Sequence, residues 1–322
     1  MDDPSGWSLT ESDPQVFSEL LRNLGVTGLQ VDDLYSLDES TLSTLKPIHA
    51  LIFLFKYVGG DVEAQGVEVD PLEAGVWFAN QVIHNSCGTL AALNAVMNIP
   101  GATSSYAGES IGLGPELENL RDFGAGMGSM DLGHVVASSD TIREVHNSFS
   151  KTSPFSMDQS LFSDKEKEDA YHFVAYLPVN GVLYELDGLR SSPLMHAAVE
   201  DDWLEQARET IQARIETYPP GSVMFNLLAV RSAAIPRLER LIADPATPAT
   251  ERLQMQDQLE HERAKAERGK FENALRRHNM LPLVLGLFEA LNGSKVKTAA
   301  IDQARAKGKE KREREKANKG AE

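Results

Sequence analysis

Cys87 is the only cysteine in the chain, and its sequence context favours a chemical role. Asn85 and Ser86 precede it as a candidate capping pair, and a helix with apolar residues on one face is predicted over residues 87–98. A thiol at a helix N-terminus feels the positive end of the helix dipole, which stabilises the reactive thiolate. Gly88, the next residue, would let a substrate backbone approach closely. The alternative is a buried apolar cysteine, which would be expected in the middle of the helix.

A thiol nucleophile needs a base, and His172 is the best placed of the eight histidines. It lies in the first of two predicted strands that are joined by Asn180 and Gly181, the strongest short signal for a hairpin. A two-residue turn places Asp187 opposite Val174, so that Asp187 is the diagonal neighbour of His172 on the same face of the sheet. Asp187 could then accept the second imidazole proton and fix the tautomer. The alternative is an incidental pair on the surface of a hairpin.

Gln81 is a candidate for stabilising the oxyanion that a thiolate attack creates. It ends a predicted strand six residues before Cys87, so its amide and the backbone N–H of Cys87 could point into the same corner. A surface glutamine at a strand end would show the same spacing, which therefore leaves both interpretations open.

The pattern of apolar residues changes near residue 232. Before this point strand and helix patterns alternate, which predicts an α+β or α/β core. Strands are predicted over residues 28–31, 50–56, 76–81, 171–178, 182–186 and 223–230. Helices are predicted from Asp13 and Pro14 onward, over 87–98, over 141–149 with Asp140 as the cap, and over 202–218. After residue 232 charged helical sequence predominates.

The charge of the chain limits the classes of partner. Lys and Arg number 31 against 48 Asp and Glu, so the net charge is -17. Such a surface repels phosphates, so we expect no nucleic-acid binding, whereas a basic protein could be attracted. No spacing of His, Cys or carboxylates indicates a metal or other cofactor. No apolar run is long enough to span a membrane, and the single cysteine suits a reducing compartment, so we expect a soluble intracellular protein.

Several motifs resemble the ubiquitin C-terminal hydrolase family of papain-like cysteine peptidases. They are Gln81-Val-Ile-His-Asn-Ser-Cys87-Gly, Tyr171-His172-Phe-Val and Tyr184-Glu-Leu-Asp187-Gly, within a similarity that covers most of residues 6–231. The resemblance implies a papain-like α+β catalytic domain whose central, mainly antiparallel sheet is flanked by helices. It also implies that Cys87 is the nucleophile, His172 the general base and proton donor, Asp187 its orienting group and Gln81 the oxyanion stabiliser. The expected reaction cleaves the bond after the C-terminal glycine of ubiquitin. His84 departs from the family's usual Asn and is a rival base.

The region after residue 231 resembles the proteasome-associated branch of the family. The sequence predicts a helical extension over residues 232–291 with an apolar stripe of Val284, Leu287, Phe288 and Leu291, followed by a charged tail over 292–322. A stripe on so small a unit usually packs onto something else. The resemblance implies docking to the ubiquitin-receptor subunit of the proteasome regulatory particle, a role in ubiquitin-dependent protein catabolism, and a cytoplasmic and nuclear location.

Two other functions compete with this interpretation. One is a ubiquitin-binding scaffold with suppressed activity, which a complete set of catalytic residues would argue against. The other is a papain-like acyltransferase that acts on small molecules. The polar segment 150–169 discriminates against it, because in the family it arches over the site as a crossover loop that a small-molecule enzyme would not need.

Overall fold

A computed structural model of the chain describes residues 6–56, 66–100, 111–149, 171–199, 202–218, 225–278 and 280–292. The predicted crossover loop at 150–169 and the tail from 293 onward lie outside these residues. The chain divides into two compact units. The first holds the sheet and the helices up to Arg277, and the second begins at His278 in its C-terminal part.

The described residues form one antiparallel sheet of seven strands in the order β1-β7-β2-β4-β5-β6-β3. The strands are β1 (Leu29–Asp33), β2 (Ile48–Lys56), β3 (Val67–Glu68), β4 (Tyr171–Val179), β5 (Val182–Leu186), β6 (Leu194–Ala198) and β7 (Phe225–Ser232). The predicted α+β fold with an antiparallel sheet is therefore confirmed. Strands β3 and β6 were not predicted from the sequence.

The helices flank this sheet and continue beyond its last strand. They are α1 (Pro14–Asn23), α2 (Glu39–Leu45), α3 (Pro71–Ala74), α4 (Cys87–Val96), α5 (Pro115–Phe123), α6 (Ser129–Ser138), α7 (Asp140–Asn147), α8 (Trp203–Glu216), α9 (Ala234–Ala243), α10 (Ala249–Arg277) and α11 (Leu281–Asn292). No helix within the described ranges combines the length and the apolar character needed to cross a bilayer.

Helix α1 starts as its sequence predicts. The carboxylate of Asp13 accepts the backbone N–H groups of Gln15 and Val16 at 2.8 and 3.3 Å, and Pro14 occupies the first turn. Helix α7 differs from its prediction, because its cap is Ser139, whose hydroxyl accepts the N–H of Ile142 at 3.2 Å. Asp140, the predicted cap, is instead the first helical residue.

Two apolar cores lie on the two faces of the sheet. In β2, Ala50 and Ile52 face the core that α1 and α4 complete, whereas Leu51 and Phe53 face the core beneath α2 and α8. The prediction that this strand is buried on both faces is confirmed.

Helix α4 is the central helix of the first core. Every residue from Gly88 to Val96 is buried, so the predicted one-sided apolar face is wrong. A helix that is apolar all round belongs inside a core, and here the sheet lies on one side and other helices on the remaining sides. Its N-terminus, which carries Cys87, is consequently held by packing along the whole helix.

The predicted strand over residues 76–81 is absent, and an extended segment without a partner strand stands in its place. Asn94 of α4 and Asn98, two residues after the end of α4, supply the missing hydrogen bonds. Asn94 binds both backbone groups of Ala79, at 2.9 and 3.2 Å, and Asn98 binds both of Trp77, at 2.7 Å each. The short apolar run Val76-Trp-Phe-Ala79 suits a strand, but side-chain amides replace the neighbouring strand.

Helices α9 and α10 follow β7 and belong to the same compact unit as the sheet. Arg231 at the end of β7 pairs with Asp32 of β1 and with Glu262 of α10, the latter at 2.8 Å. Farther along α10, the buried Asn273 donates to the backbone carbonyl of Gln15 in α1 at 3.0 Å. Polar contacts therefore attach α10 to the core.

Replacement of Asn94 by Leu should destabilise the fold, because the buried N–H and C=O of Ala79 would both lose their partner. We expect a loss of about 3 kcal/mol in the free energy of unfolding, measured by urea titration with circular dichroism. Asn23→Leu, at the exposed end of α1, is the control and should change stability little. Equal stability of both variants would contradict the role assigned to Asn94.

Candidate active site

Cys87 is the first residue of α4 and follows a single 3-10 turn, His84–Ser86. The predicted capping role of the two preceding residues is wrong in detail. Asn85 donates to the carbonyl of Trp7 at 2.9 Å, and the hydroxyl of Ser86 donates back to the carbonyl of Ile83 at 2.8 Å. These bonds fix the turn that presents the thiol, which is partly exposed at the helix N-terminus.

Gly88 does not face the substrate side, contrary to the expectation from the sequence. A Cβ atom at this position would lie 3.3 Å from the ring of Phe17 and 3.5 Å from the ring of Phe173. The absence of a side chain therefore allows α4 to pack closely against α1 and the sheet. Its contribution to the site is to bring the helix N-terminus close to β4.

The β4–β5 hairpin brings His172 and Asp187 together. Its register runs from Val179 paired with Val182 to Ala175 paired with Leu186, as the two-residue turn predicts. The Nε2 atom of His172 lies 2.6 Å from Oδ1 of Asp187, and both side chains are buried. The hairpin prediction is confirmed.

A short loop after β5 holds the Asp187 carboxylate in place. The backbone N–H of Leu189 donates to Oδ1 of Asp187 at 2.9 Å, and Nε of Arg190 lies 4.0 Å from Oδ2. These contacts fix the orientation of the carboxylate that His172 meets.

His172 also makes a hydrogen bond with the thiol of Cys87. Because Nε2 is occupied by Asp187, the ring nitrogen available to the thiol is Nδ1. Burial alone would lower the pKa of His172, but the hydrogen bonds with Asp187 and Cys87 outweigh it and raise the pKa to about 9. The imidazole is thus able to hold a proton at neutral pH beside the Cys87 sulfur, and an imidazolium next to a thiolate is the ion pair that nucleophilic attack by a thiol requires.

Gln81 lies next to this group, but its amide hydrogens are engaged. Nε2 donates to the carbonyls of Ile83 and His84 at 2.9 and 2.7 Å, while Oε1 is buried and finds no hydrogen-bond donor among the described residues. The amide must therefore turn away from these carbonyls before it can donate to an oxyanion.

Gly188 connects the Gln81 segment to the Asp187 loop, a role that the spacing of residues did not reveal. Its carbonyl accepts the backbone N–H of Gln81 at 2.7 Å and the amide of Asn80 at 3.3 Å. A Cβ atom here would lie 2.6 Å from Leu90 of α4. Gly188 follows Asp187 in the Glu-Leu-Asp-Gly motif, so the motif contained a signal for this contact.

His84, the rival base, is exposed, and no hydrogen bond or ion pair connects its imidazole to another described residue. The described residues also contain no group of three or more His, Cys, Asp or Glu side chains that could hold a metal ion. The connected set is therefore Cys87, His172 and Asp187, with Gln81 beside it.

His172→Ala and His84→Asn should affect the reactivity of Cys87 differently, because only His172 contacts the thiol. We expect the first change to slow alkylation of Cys87 by iodoacetamide at about pH 6.5 by roughly tenfold or more, as expected when a thiolate loses its cationic partner. The second change should leave the rate within about twofold. Since the chain has one cysteine, mass spectrometry of the adduct reports on Cys87 alone. The reverse ranking would make His84 the base.

Comparison with known proteins places this arrangement in a family. The family model described as "Ubiquitin carboxyl-terminal hydrolase, family 1" matches residues 7–216, and a model described as "Ubiquitin carboxyl-terminal hydrolases" matches residues 252–296.

Relatives match over nearly the whole chain. Ubiquitin carboxyl-terminal hydrolase ubh-4 of Caenorhabditis elegans is 37% identical, over 97% of this chain and 95% of the relative. Ubiquitin carboxyl-terminal hydrolase isozyme L5 of Dictyostelium discoideum is 34% identical, over 90% of this chain and 93% of the relative. Among solved structures, Trichinella spiralis UCH37 bound to ubiquitin vinyl methyl ester is similar, with 36% identity and a TM-score of 0.66, over 82% of this chain and 99% of that chain. The chain therefore belongs to the ubiquitin carboxyl-terminal hydrolase family and is a cysteine-type ubiquitin hydrolase of the UCH37 type.

Proposed function

We propose that the protein is a deubiquitinating thiol hydrolase that cleaves the bond after the C-terminal glycine of ubiquitin, in isopeptides or in small adducts. The observation that supports this most directly is the connected set of Cys87, His172 and Asp187. Cys87 comes from a helix far from the hairpin that carries His172 and Asp187, and hydrogen bonds link the three residues in the order that a thiol hydrolase needs.

The proposed reaction has two steps. The Cys87 thiolate attacks the carbonyl carbon of the terminal glycine, and His172 gives its proton to the leaving amine as the C–N bond breaks. A water molecule then attacks the thioester, His172 takes the water proton, and ubiquitin leaves with a free carboxylate while the thiolate is regenerated. Asp187 keeps the imidazole in the orientation and tautomer for both steps.

The oxyanion of each step is assigned to Gln81 and to the backbone N–H of Cys87. In the structure the Gln81 amide is bound to the turn before Cys87, so we propose that substrate binding draws it towards the carbonyl oxygen. A donor of this kind acts on the transition state, so its removal should lower kcat more than it changes KM.

Ubiquitin as the substrate is supported by two findings. The similar Trichinella spiralis UCH37 was solved with ubiquitin vinyl methyl ester bound, which indicates the partner of that protein. In addition, the net charge of -17 suits the approach of ubiquitin, a protein with basic patches around its tail.

The alternative function is a ubiquitin-binding scaffold whose activity is suppressed. The hydrogen bonds among Cys87, His172 and Asp187 argue against it, because a scaffold has no need for a base that is both buried and oriented. The scaffold alternative predicts binding of ubiquitin without covalent reaction.

Incubation of the full chain with ubiquitin that carries a C-terminal electrophile tests the proposal. The wild-type protein should form one covalent adduct at Cys87, visible as a mass increase of one ubiquitin, whereas Cys87→Ala should form none. The same electrophile without ubiquitin is the control and should react at least about a hundredfold more slowly, because it lacks the binding energy that positions it. Ubiquitin binding with no adduct in the wild-type protein would support the scaffold instead.

We further propose that α11 docks to a proteasome subunit, which would place the enzyme in ubiquitin-dependent protein catabolism in the cytoplasm and the nucleus. Residues 232–291 would then serve as the helical extension to the catalytic domain at 6–231. Much of the α11 surface is apolar and solvent-exposed, with exposed fractions between 42% and 64% for Leu283, Val284, Leu285, Leu287 and Phe288. Apolar patches of this kind mark protein-binding surfaces. The predicted stripe residue Leu291 lies outside the described side chains.

Replacement of Leu287 and Phe288 by Glu should abolish co-purification with proteasomes, because charges would enter an apolar interface. The matched control is the same double change at Leu253 and Phe271 of α10, which are exposed to a similar degree, 63% and 64%. Both variants should still react with the ubiquitin electrophile. Proteasome association that survives the α11 change, or that is lost equally in the control, would show that α11 is not the docking element.

A further inference from the structure

A buried charged cluster lies on the sheet face that α8 covers, and the proposed reaction does not use it. Arg214 of α8 pairs through Nη1 with the carboxylate of Glu185 and donates to the hydroxyl of Tyr176 at 3.1 Å. That hydroxyl donates to Glu185 at 3.0 Å, and Nε2 of His196 lies 3.2 Å from the same carboxylate oxygen. Glu185 and Tyr176 are both buried, so the cluster is removed from water.

The cluster is ionised in spite of its burial. Burial alone would raise the pKa of Glu185, but the charge of Arg214 and the contact with His196 lower it to about 2. The guanidinium and the carboxylate therefore stay charged throughout the physiological pH range, and the pair is a permanent feature of this face.

A single aromatic ring connects this cluster to the base of the candidate site. The guanidinium carbon of Arg214 lies 4.3 Å from the centroid of the Phe55 ring. Phe55 is the register partner of His172 across β2 and β4, and the two rings meet edge to face, with centroids 5.7 Å apart and an interplanar angle of 88°. Arg214, Phe55 and His172 thus form a continuous row of contacts.

Charge provides a second connection. Glu185 precedes Asp187 by two residues on the hairpin, and the carboxylate of Asp187 is close enough to Arg214 to act on its charge. The carboxylate that anchors Arg214 and the carboxylate that orients His172 therefore lie on the same face of the sheet, two residues apart. Both connections end at the same imidazole.

Stability does not account for this arrangement. A buried ion pair often adds no more stability than apolar side chains of the same volume would, because both charges lose their hydration. We propose that Arg214 is a positioning residue for His172. It holds the Phe55 ring against the imidazole, so that Nδ1 stays directed at Cys87 and Nε2 at Asp187.

This inference rests on the proposed catalytic roles, and two measurements on the full chain separate it from them. The first is kcat and KM for a ubiquitin C-terminal fluorogenic amide. The second is the rate of Cys87 alkylation by iodoacetamide at about pH 6 divided by the rate at about pH 9, which needs no ubiquitin and reports whether the imidazolium is held beside the thiolate.

Arg214→Met removes the charge and keeps most of the apolar stem. We expect kcat to fall about tenfold or more with KM within about threefold, since a small displacement of a catalytic group is enough for such a loss. The alkylation ratio should fall about fivefold or more, as the thiolate loses its aligned partner. Arg214→Lys keeps the charge without the planar stack and should restore part of both values.

The matched control is Arg208→Met on the same helix, because Arg208 is paired only with the exposed Glu205, at 3.6 Å, among the described residues. It should leave kcat and the alkylation ratio within about twofold. If Arg214→Met does not fold, as judged by circular dichroism, Phe55→Leu takes its place. This change removes the ring between Arg214 and His172, while the ion pair of Arg214 with Glu185 remains.

Two outcomes decide the matter. If the folded fraction of either test variant keeps the wild-type kcat and the wild-type alkylation ratio, Arg214 has only a structural role and the inference is overturned. If the wild-type protein does not cleave the ubiquitin amide, the proposed function fails, and the alkylation ratio alone still decides whether Arg214 positions His172.

Discussion

The two-residue turn at Asn180 and Gly181 is the constraint on which the candidate site depends. Both residues have positive φ angles, 50° and 77°, which is the conformation of a tight hairpin turn with the twist of the adjoining strands. Because side chains alternate between the two faces of a sheet, a slip of one residue in this register would move Asp187 to the face opposite His172. The hydrogen bond of 2.6 Å between these residues therefore follows from backbone geometry that is set about seven residues away.

The thiol is fixed by a separate set of contacts around α4. Asn94 in its C-terminal half and Asn98 just after it bind the segment 76–81. In its N-terminal half, Thr89 binds His146. The Nε2–H of His146 donates to the carbonyl of Ser8 at 2.6 Å, so its Nδ1 accepts the hydroxyl proton of Thr89 at 2.7 Å. Burial lowers the pKa of His146, which keeps the ring neutral and suits this donor and acceptor pair. Cys87 and His172 thus approach each other because two independently fixed elements, α4 and the hairpin, pack together.

Features with a local signal could be predicted from the sequence. Asp13 and Pro14 start α1, and Asn180 and Gly181 fix the hairpin, because each depends on neighbours in the chain. The segment 76–81 was misjudged because its hydrogen-bond partners are asparagines of a helix, and nothing near Trp77 indicates them. The one-sided face assigned to α4 failed for the same reason, since its second apolar surface is recognisable only when the other helices are in place. Arg214 looked like an ordinary charged residue of α8, because its contacts with Phe55 and Glu185 come from distant strands.

The two helices at the end of the described chain present opposite chemistry. Helix α10 is attached by buried or half-buried polar groups, among them Glu262 with Arg231 of β7 and Asn273 with the α1 backbone. Polar groups of this kind need their partners, since an uncompensated buried charge typically costs about 3–5 kcal/mol. Helix α11 instead exposes apolar side chains such as Leu287 and Phe288, which need no specific partner geometry and gain free energy from any apolar surface that covers them. Specific polar contacts suit a helix that stays on the core, and an exposed apolar surface suits a helix that meets another protein.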